Sequence, residues 1–469
     1  MRMELVCGRC GEAYLPIKPW IGCSKCGSML EFVLSDGLNV EEIRFDNVNS
    51  MWRYKPILPI PSNWSPISLA EGYTPLIRAE NLGSVLKFRK LYFKDESRNP
   101  TGSFRDRAAS LMTTWAYKTG FKTIAVASDG NMGVSIAAYV AKARLNCKVI
   151  VPKNVDEGKI LQLLIYGPEL SEYGTYLDEA IDRVAKLAEE QNVYQATPEL
   201  NPLSIEAQKT IGYEIWEQLG DVPDTVVVPV GSGSCLFSIW KGFAELKKLG
   251  FTSRIPRFLA VQSEGCAPIV EAFEKNSDLV EPISPETRAT AILVRKPAYG
   301  AKVLEILRKS GAAISVRDDE IFRAEKMLAR FEGLFAEPSS SSTVAALIRL
   351  SKEEALLSPD ETIVCILTGS GLKAPSVFES MGYRRRMLEL GFETSMKFRI
   401  LHSLSEGERH GYSIWKSLGG IISPQAVYQH LQDLEKRGYV ESFTVNGRRL
   451  YRLTEEGRML LKAFKIIGF

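Results

Sequence analysis

From about residue 91 to residue 367 the chain repeats one pattern. A short β-branched run ends in a Gly-rich or polar turn, and helical periodicity follows; runs at 123–127, 148–152, 225–230, 257–261 and 362–367 carry it. This alternation predicts an α/β protein with mostly parallel strands, because helical crossovers are what join parallel neighbours. Ligands in such folds bind beyond the carboxyl ends of the strands. Three loops fall there: Ser128-Asp-Gly-Asn131, Gly231-Ser-Gly-Ser-Cys235 and Thr368-Gly-Ser-Gly371.

The second loop follows a strand and precedes a helical stretch at 236–249. Small residues there let backbone N–H groups converge on one cup, and the helix N-terminus adds partial positive charge, which together suit a phosphate. An ordinary strand-to-helix turn is the plainer alternative.

At 469 residues the chain has room for about three domains. No apolar run approaches the roughly 20 residues that span a bilayer, and residues 1–10 lack the pattern of a secretion signal, so a cytoplasmic protein without a membrane partner is expected. Four of the eight cysteines form two C-x-x-C knuckles, Cys7/Cys10 and Cys23/Cys26, separated by twelve residues and each followed by Gly11 or Gly27. Gly-assisted turns bring paired thiolates onto one tetrahedral Zn²⁺, and a four-cysteine site leaves no open position, so a structural zinc ribbon at 1–35 is predicted. The alternative is four free thiols.

Net charge is only +3, but residues 396–469 hold 12 Lys and Arg against 7 Asp and Glu. The basic surplus therefore sits in the tail. His402, His410 and His430 lie there as well, so chemistry in the first 395 residues must use lysine, carboxylate or a cofactor.

Ordered motifs extend the reading: Glu71-Gly-Tyr-Thr-Pro-Leu76, Lys94-Asp-Glu96, Asn99-Pro-Thr-Gly-Ser-Phe-Arg-Asp-Arg107, Gln208-Lys-Thr210, Gln262-Ser-Glu-Gly265, Ala289-Thr-Ala291, Glu337-Pro-Ser339 and Thr368-Gly-Ser-Gly-Leu-Lys373. With the cysteine ribbon and the loops above, residues 1–385 resemble the pyridoxal-phosphate enzymes of the second fold type and, within them, the threonine synthases. The resemblance implies a two-lobed core at 36–385 with parallel sheets. It places Asn131 on the pyridoxal 3-hydroxyl, Gly231, Ser232, Gly233, Ser234 and Cys235 on the phosphate, and Thr368 opposite the pyridine nitrogen. Thr101, Ser103, Ser128 and Asp129 fall at substrate positions.

One departure stands out. Arg105 occupies the position of the lysine that, in the family, makes the Schiff base and then acts as general base. A guanidinium stays protonated at any working pH and forms no useful imine, so Lys-to-Arg is not conservative here. Asp129 brings a negative charge where the family usually has Ser or Thr, Ser234 and Cys235 depart from the family's loop, and Leu293 and Arg295 replace its typical Arg and Gly. Altered catalysis is the expectation, with noncovalent binding of pyridoxal phosphate or of an amino-acid adduct; a scaffold that only keeps its fold is the plainer alternative.

A linking helix is expected at 386–395, and residues 396–469 then read as short helices, a third helix opened by Ser423-Pro424 and ended by Gly438, and a hairpin around Asn446-Gly447. That is a winged helix. Through His410-Gly-Tyr412, Ser423-Pro-Gln-Ala-Val-Tyr428 and Tyr451-Arg-Leu-Thr-Glu-Glu-Gly457 it resembles the PadR-like regulators. Gln425, Tyr428, Gln429 and Gln432 lie at helical spacing for double-stranded DNA in the major groove, with Arg448 and Arg449 on the wing for the minor groove. A single unit binds weakly, which predicts a homodimer; a protein-contact or dimerisation module is the alternative. The whole chain thus reads as a ligand-sensing regulator responding to a small amino-acid-like molecule, or else as an active threonine synthase with an appended tail.

Overall fold

The computed structural model describes residues 3–15, 22–35, 43–153, 155, 157–352, 356–374, 396–445 and 448–458. The chain divides into two units, Met1–Val377 and Phe378–Phe469. The linking helix expected at 386–395 and the Asn446-Gly447 tip lie outside the described residues.

In the first unit a six-stranded sheet runs Gly311–Val316, Arg257–Ser263, Thr225–Pro229, Thr362–Leu367, Lys90–Asp95, Leu76–Arg78, parallel except for the last pair. Its central strand pairs Val227 with Leu259 on one side and Cys365 on the other. All five residues of that strand are buried, as expected of a parallel strand covered on both faces. A second sheet runs Glu169–Glu172, Asn146–Val151, Thr123–Ala127, Tyr194–Gln195, all parallel. Both sheets carry the mostly parallel pairing that the alternation predicts.

At the amino end, Ala13–Tyr14, Met3–Cys7 and Leu30–Leu34 form an antiparallel sheet. It packs into the main core through Leu5 and Phe32, both buried. The Lys241 Nζ donates to the Phe32 carbonyl and Lys248 Nζ to that of Leu34 at 3.1 Å, so side chains from the helix Ser234–Lys248 satisfy backbone of this edge strand.

The lobes also meet through a buried charge cluster. Arg107 pairs with Glu96 at 2.6 Å and with Glu214, which also holds Lys94 at 2.6 Å. Two cations face two carboxylates, and the cations hold the Glu214 carboxyl down at about 2 against its burial.

The second unit holds the helices Gly411–Ser417 and Pro424–Lys436 and the hairpin Val440–Val445 with Arg448–Leu453. Ser423 caps the second helix through Ala426 N–H at 3.2 Å, with Pro424 in its first turn. Val427, Leu431 and Leu434 face a core shared with Ile400, Ile414 and Tyr451, and Tyr439 packs beside it. Gly411 lacks a side chain because the Tyr428 ring lies against it; any Cβ there would collide with that ring. No helix among the described residues is long and apolar enough to cross a membrane.

Candidate active site

The carboxyl ends of both sheets converge on one pocket with about 670 Å³ of empty space including its open mouth. Ser128, Asp129 and Asn131 come from the smaller sheet's loop, and Gly231 to Cys235 with Thr368 from the larger sheet's loops. Arg105 lines the same space.

The cup is formed where the strand Thr225–Pro229 hands over to the helix Ser234–Lys248. Among the described residues, the backbone N–H groups of Ser232, Gly233, Ser234 and Cys235 donate to nothing in the protein. They are a helix's orphan donors, left at a pocket wall. Gly233 has φ 89°, and a Cβ on Gly231 or Gly233 would come within 3.0 Å of Val294 or 2.9 Å of Val303. Glycine is needed there for the backbone path and for clearance. Burial pushes the Cys235 thiol up to about 12, so it is neutral.

Opposite the cup, Glu337 joins two of the predicted ring contacts. Asn131 Nδ2 donates to one Glu337 oxygen at 3.1 Å, and Thr368 Oγ1 donates to the other at 3.2 Å. Ser340 holds Thr368 from behind, Oγ to Oγ1 at 2.9 Å. Asn131 Oδ1 is buried with no partner. Glu337 appeared in the sequence only as part of a motif; its role emerges from the fold, because Pro338 starts a helix that leaves the carboxylate between two strand-end loops.

Arg105 is the first residue of the helix Arg105–Lys118, a position where a cation opposes the helix dipole. Its guanidinium lies 4.7 Å from the Phe104 ring centroid, and Nη1 is buried without a partner. Among the described residues, none that lines this pocket is a lysine. Lys94 is spent in the Glu214 cluster, and Lys373 donates to the Thr101 carbonyl at 2.7 Å and to Gln162 at 3.0 Å. Burial lowers Lys373 to about 8, although Asp106 opposes the shift.

Besides Glu337, two carboxylates line the pocket with Arg105. Asp129 was anticipated; Glu199 was not, since nothing in the Pro198-Glu199-Leu200 sequence marks it. Burial raises the Glu199 carboxyl, Arg105 and the nearby Ser232 hydroxyl draw it down, and Asp129 raises it further.

The remaining substrate positions are arranged differently. Thr101 and Ser103 are buried but do not line the pocket; Thr101 Oγ1 donates to Asp106 at 2.6 Å, and Ser103 Oγ has no partner. Ser128 lines the pocket, yet its Oγ accepts from Gly130 N–H at 2.9 Å and Gly133 N–H at 2.8 Å, which shapes the loop.

Away from the pocket, the Sγ atoms of Cys7, Cys10, Cys23 and Cys26 all lie within 4.8 Å of one another, with Cys7–Cys26 at 3.5 Å and Cys10–Cys23 at 3.6 Å. Thiolates on one tetrahedral zinc sit about 3.8 Å apart, given bonds of about 2.3 Å, so the cluster fits that ion. The Tyr14 hydroxyl, 3.1 Å from Cys23 Sγ, lowers that thiol to about 6. Gly11 and Gly27, at φ 72° and 70°, make the turns anticipated after each knuckle.

On the winged helix, Gln425, Tyr428, Gln429 and Gln432 are exposed on the face opposite Val427, Leu431 and Leu434. Arg448 is exposed. Arg449 is exposed too, but it pairs with Glu435 at 2.8 Å, donates to Ser442 at 3.0 Å and lies over the Tyr451 ring, tying the wing to the helix.

Comparison with known proteins agrees with both units. Residues 67–369 match the family described as pyridoxal-phosphate dependent enzyme, and residues 400–463 match the transcriptional regulator PadR-like family. The threonine synthase of Methanocaldococcus jannaschii is 40% identical over 378 residues, covering 79% of this chain and 92% of that protein. That of Mycobacterium tuberculosis is 36% identical over 325 residues, covering 69% and 88%. Among solved structures, maize serine racemase shares the fold with a TM-score of 0.57 at 21% identity, over 68% of this chain and 93% of that one. Threonine deaminase isoform 2 from Solanum lycopersicum does so with 0.57 at 22%, over 75% and 100%.

Proposed function

Because the chain belongs to the pyridoxal-phosphate dependent enzymes and, among them, to the threonine synthases, with a PadR-like domain appended, we propose that its core binds pyridoxal 5'-phosphate, or an amino-acid adduct of it, without a covalent link. The winged helix then binds DNA, and the protein acts as a ligand-sensing transcriptional regulator. The observation that carries this reading is Arg105: it lines the pocket where the family has its cofactor-linking lysine, and among the described residues no lining residue replaces that amine.

The residues present fit the cofactor's phosphate and ring. Among the described residues four unpaired N–H groups come together on a loop whose glycines have no room for a Cβ, and Asn131 Oδ1 is an orphaned buried acceptor open to a hydroxyl donor. Ser232 to Cys235 would hold the phosphate, with Asn131 and the Thr368 hydroxyl at the ring. A neutral hydroxyl beside a pyridine nitrogen leaves it unprotonated. The residues do not fit covalent attachment. When bound in this family the cofactor supplies an electron sink; in this chain Arg105 can orient an anionic group but cannot carry a proton to and from carbon.

Sensing requires that the ligand bind two states of the protein unequally, since a ligand indifferent to both shifts nothing. A homodimer that pairs two winged helices on DNA half-sites provides such states. A structural zinc in the four-cysteine ribbon and a reducing, cytoplasmic setting complete the proposal.

The second reading is an active threonine synthase, converting O-phosphohomoserine and water to threonine and phosphate; the 40% identity over 378 residues favours it. Purified protein with pyridoxal phosphate and O-phosphohomoserine, assayed for threonine and phosphate beside Arg105→Lys, separates the two. Silence in the native chain, with a borohydride-stable cofactor adduct only in Arg105→Lys, is expected. Turnover by the native chain would make it an enzyme. Gel shifts should show DNA affinity changing about fivefold or more with ligand; unchanged affinity removes sensing.

A further inference from the structure

Glu199 stands where a phosphate site should exclude it. The cup offers four unpaired backbone N–H groups and a helix N-terminus, a setting for an anion. Yet Glu199 lines the same pocket as Gly231 to Cys235, with the Ser232 hydroxyl near its carboxyl. An ionised carboxylate beside a phosphate is a like-charge contact in a poorly hydrated space, where such repulsion is large. A protonated one is a hydrogen-bond donor to a phosphate oxygen.

Resting on the cup being a phosphate site, we propose that Glu199 is its selectivity residue: a phosphate monoester occupies the cup with the Glu199 carboxyl protonated, so binding takes up one proton. The free protein already leans that way, because burial, helped by Asp129, outweighs the pull of Arg105 and of the Ser232 hydroxyl towards the ionised form. An arriving phosphate adds negative charge and tilts it further.

The other groups facing Glu199 do not supply this proton chemistry. Arg105 is a guanidinium, a poor proton donor and acceptor by its chemistry. Burial holds the Cys235 thiol near 12 and the Tyr299 hydroxyl higher still, so both remain neutral. Among the described residues two further carboxylates share the pocket: Glu337, held by Asn131 and Thr368, and Asp129, which raises the Glu199 carboxyl and whose substitution serves as the control.

The sign is opposite to that of the ligand alone. A phosphate monoester gains its second charge near pH 6, so a cup of N–H groups by itself binds more tightly as pH rises. With Glu199 coupled, affinity falls as pH rises above the free carboxyl's value, towards tenfold per pH unit for one proton.

The test titrates inorganic phosphate and, separately, pyridoxal phosphate into the full-length protein from about pH 6 to 9. Calorimetry in buffers of different ionisation enthalpy counts the protons directly. Native protein and Asp129→Asn should lose affinity as pH rises and take up a proton on binding. Glu199→Gln should bind more tightly than native at the alkaline end and lose the uptake. A slope that persists in Glu199→Gln, or that disappears in Asp129→Asn instead, overturns the assignment. If no variant binds either probe at any pH, the phosphate reading of the cup itself falls. Binding of inorganic phosphate without pyridoxal phosphate, slope intact, keeps the proton coupling and overturns the pyridoxal ligand.

Discussion

Arg295 forms an ion pair with Asp178, and its guanidinium also lies 4.5 Å from the Tyr176 ring centroid. Their chain neighbours Val294 and Leu177 both line the pocket, so the pair ties together two segments of its wall. Both side chains are about one-third exposed, which limits the stability at stake to about 1 kcal/mol or less. Arg295→Gly should therefore leave the melting temperature nearly unchanged while raising both association and dissociation rates of pyridoxal phosphate several-fold. Stopped-flow absorbance reads both; unchanged rates would remove this tie.

Glu325 is buried with neither carboxylate oxygen partnered, and burial with the nearby Glu337 charge raises it from 4.5 to about 8. Such a group is protonated in the folded chain and ionised in the unfolded chain between those values. The stability that depends on a neutral Glu325 is thus fully present below about pH 4.5 and lost as pH rises towards about 8. Glu325→Gln should flatten that loss and gain on the order of 2 kcal/mol at pH 8 over native protein. Urea unfolding across pH, followed through core tryptophan fluorescence, measures it.

The four clustered thiols predict one zinc per chain by elemental analysis. Cys23→Ser should lose the metal. Because Leu5 and Phe32 of the ribbon sheet sit in the main core, the loss should lower the core's melting temperature by several degrees. An unchanged melting temperature in metal-free protein would reduce the ribbon to an appendage.

The winged helix separates its two arginines. Arg448 is exposed, so Arg448→Ala should weaken all DNA sequences alike and reduce the salt slope by about 1. Gln429→Ala should cost about 1–3 kcal/mol on a specific site and relax base choice there. Arg449→Ala should instead destabilise the wing, because Arg449 is held by Glu435 and Ser442. Fluorescence anisotropy at several salt concentrations, beside thermal melts, sorts the three.

Much of this architecture was legible because it is periodic or local. The run at 225–230 is continuously apolar, and a strand buried on both faces is what it became. Ser423-Pro424 is a cap that needs only its own turn, and the helix begins there. The cysteine knuckles converge because Gly11 and Gly27 make local turns. Asn131, Thr368 and the cup met in one pocket because all sit at strand ends, a position that the strand pattern alone specifies.

What the pattern could not reveal are pairings between residues far apart in sequence. Glu199 looks like any loop carboxylate until the fold carries it to Ser232 and Arg105. Glu337 reaches Asn131 across 206 positions, and Arg295 reaches Asp178 across 117. Thr101 and Ser103, read as substrate contacts from a linear motif, turn away from the pocket because the start of the helix at Arg105 spends Thr101 on Asp106. The amino-acid sequence by itself determined the elements, the loops at the strand ends and the missing amine at position 105. The tertiary structure alone decided which charges meet in the pocket, since a side chain's electrostatic surroundings are made by chain packing and not by its neighbours in sequence.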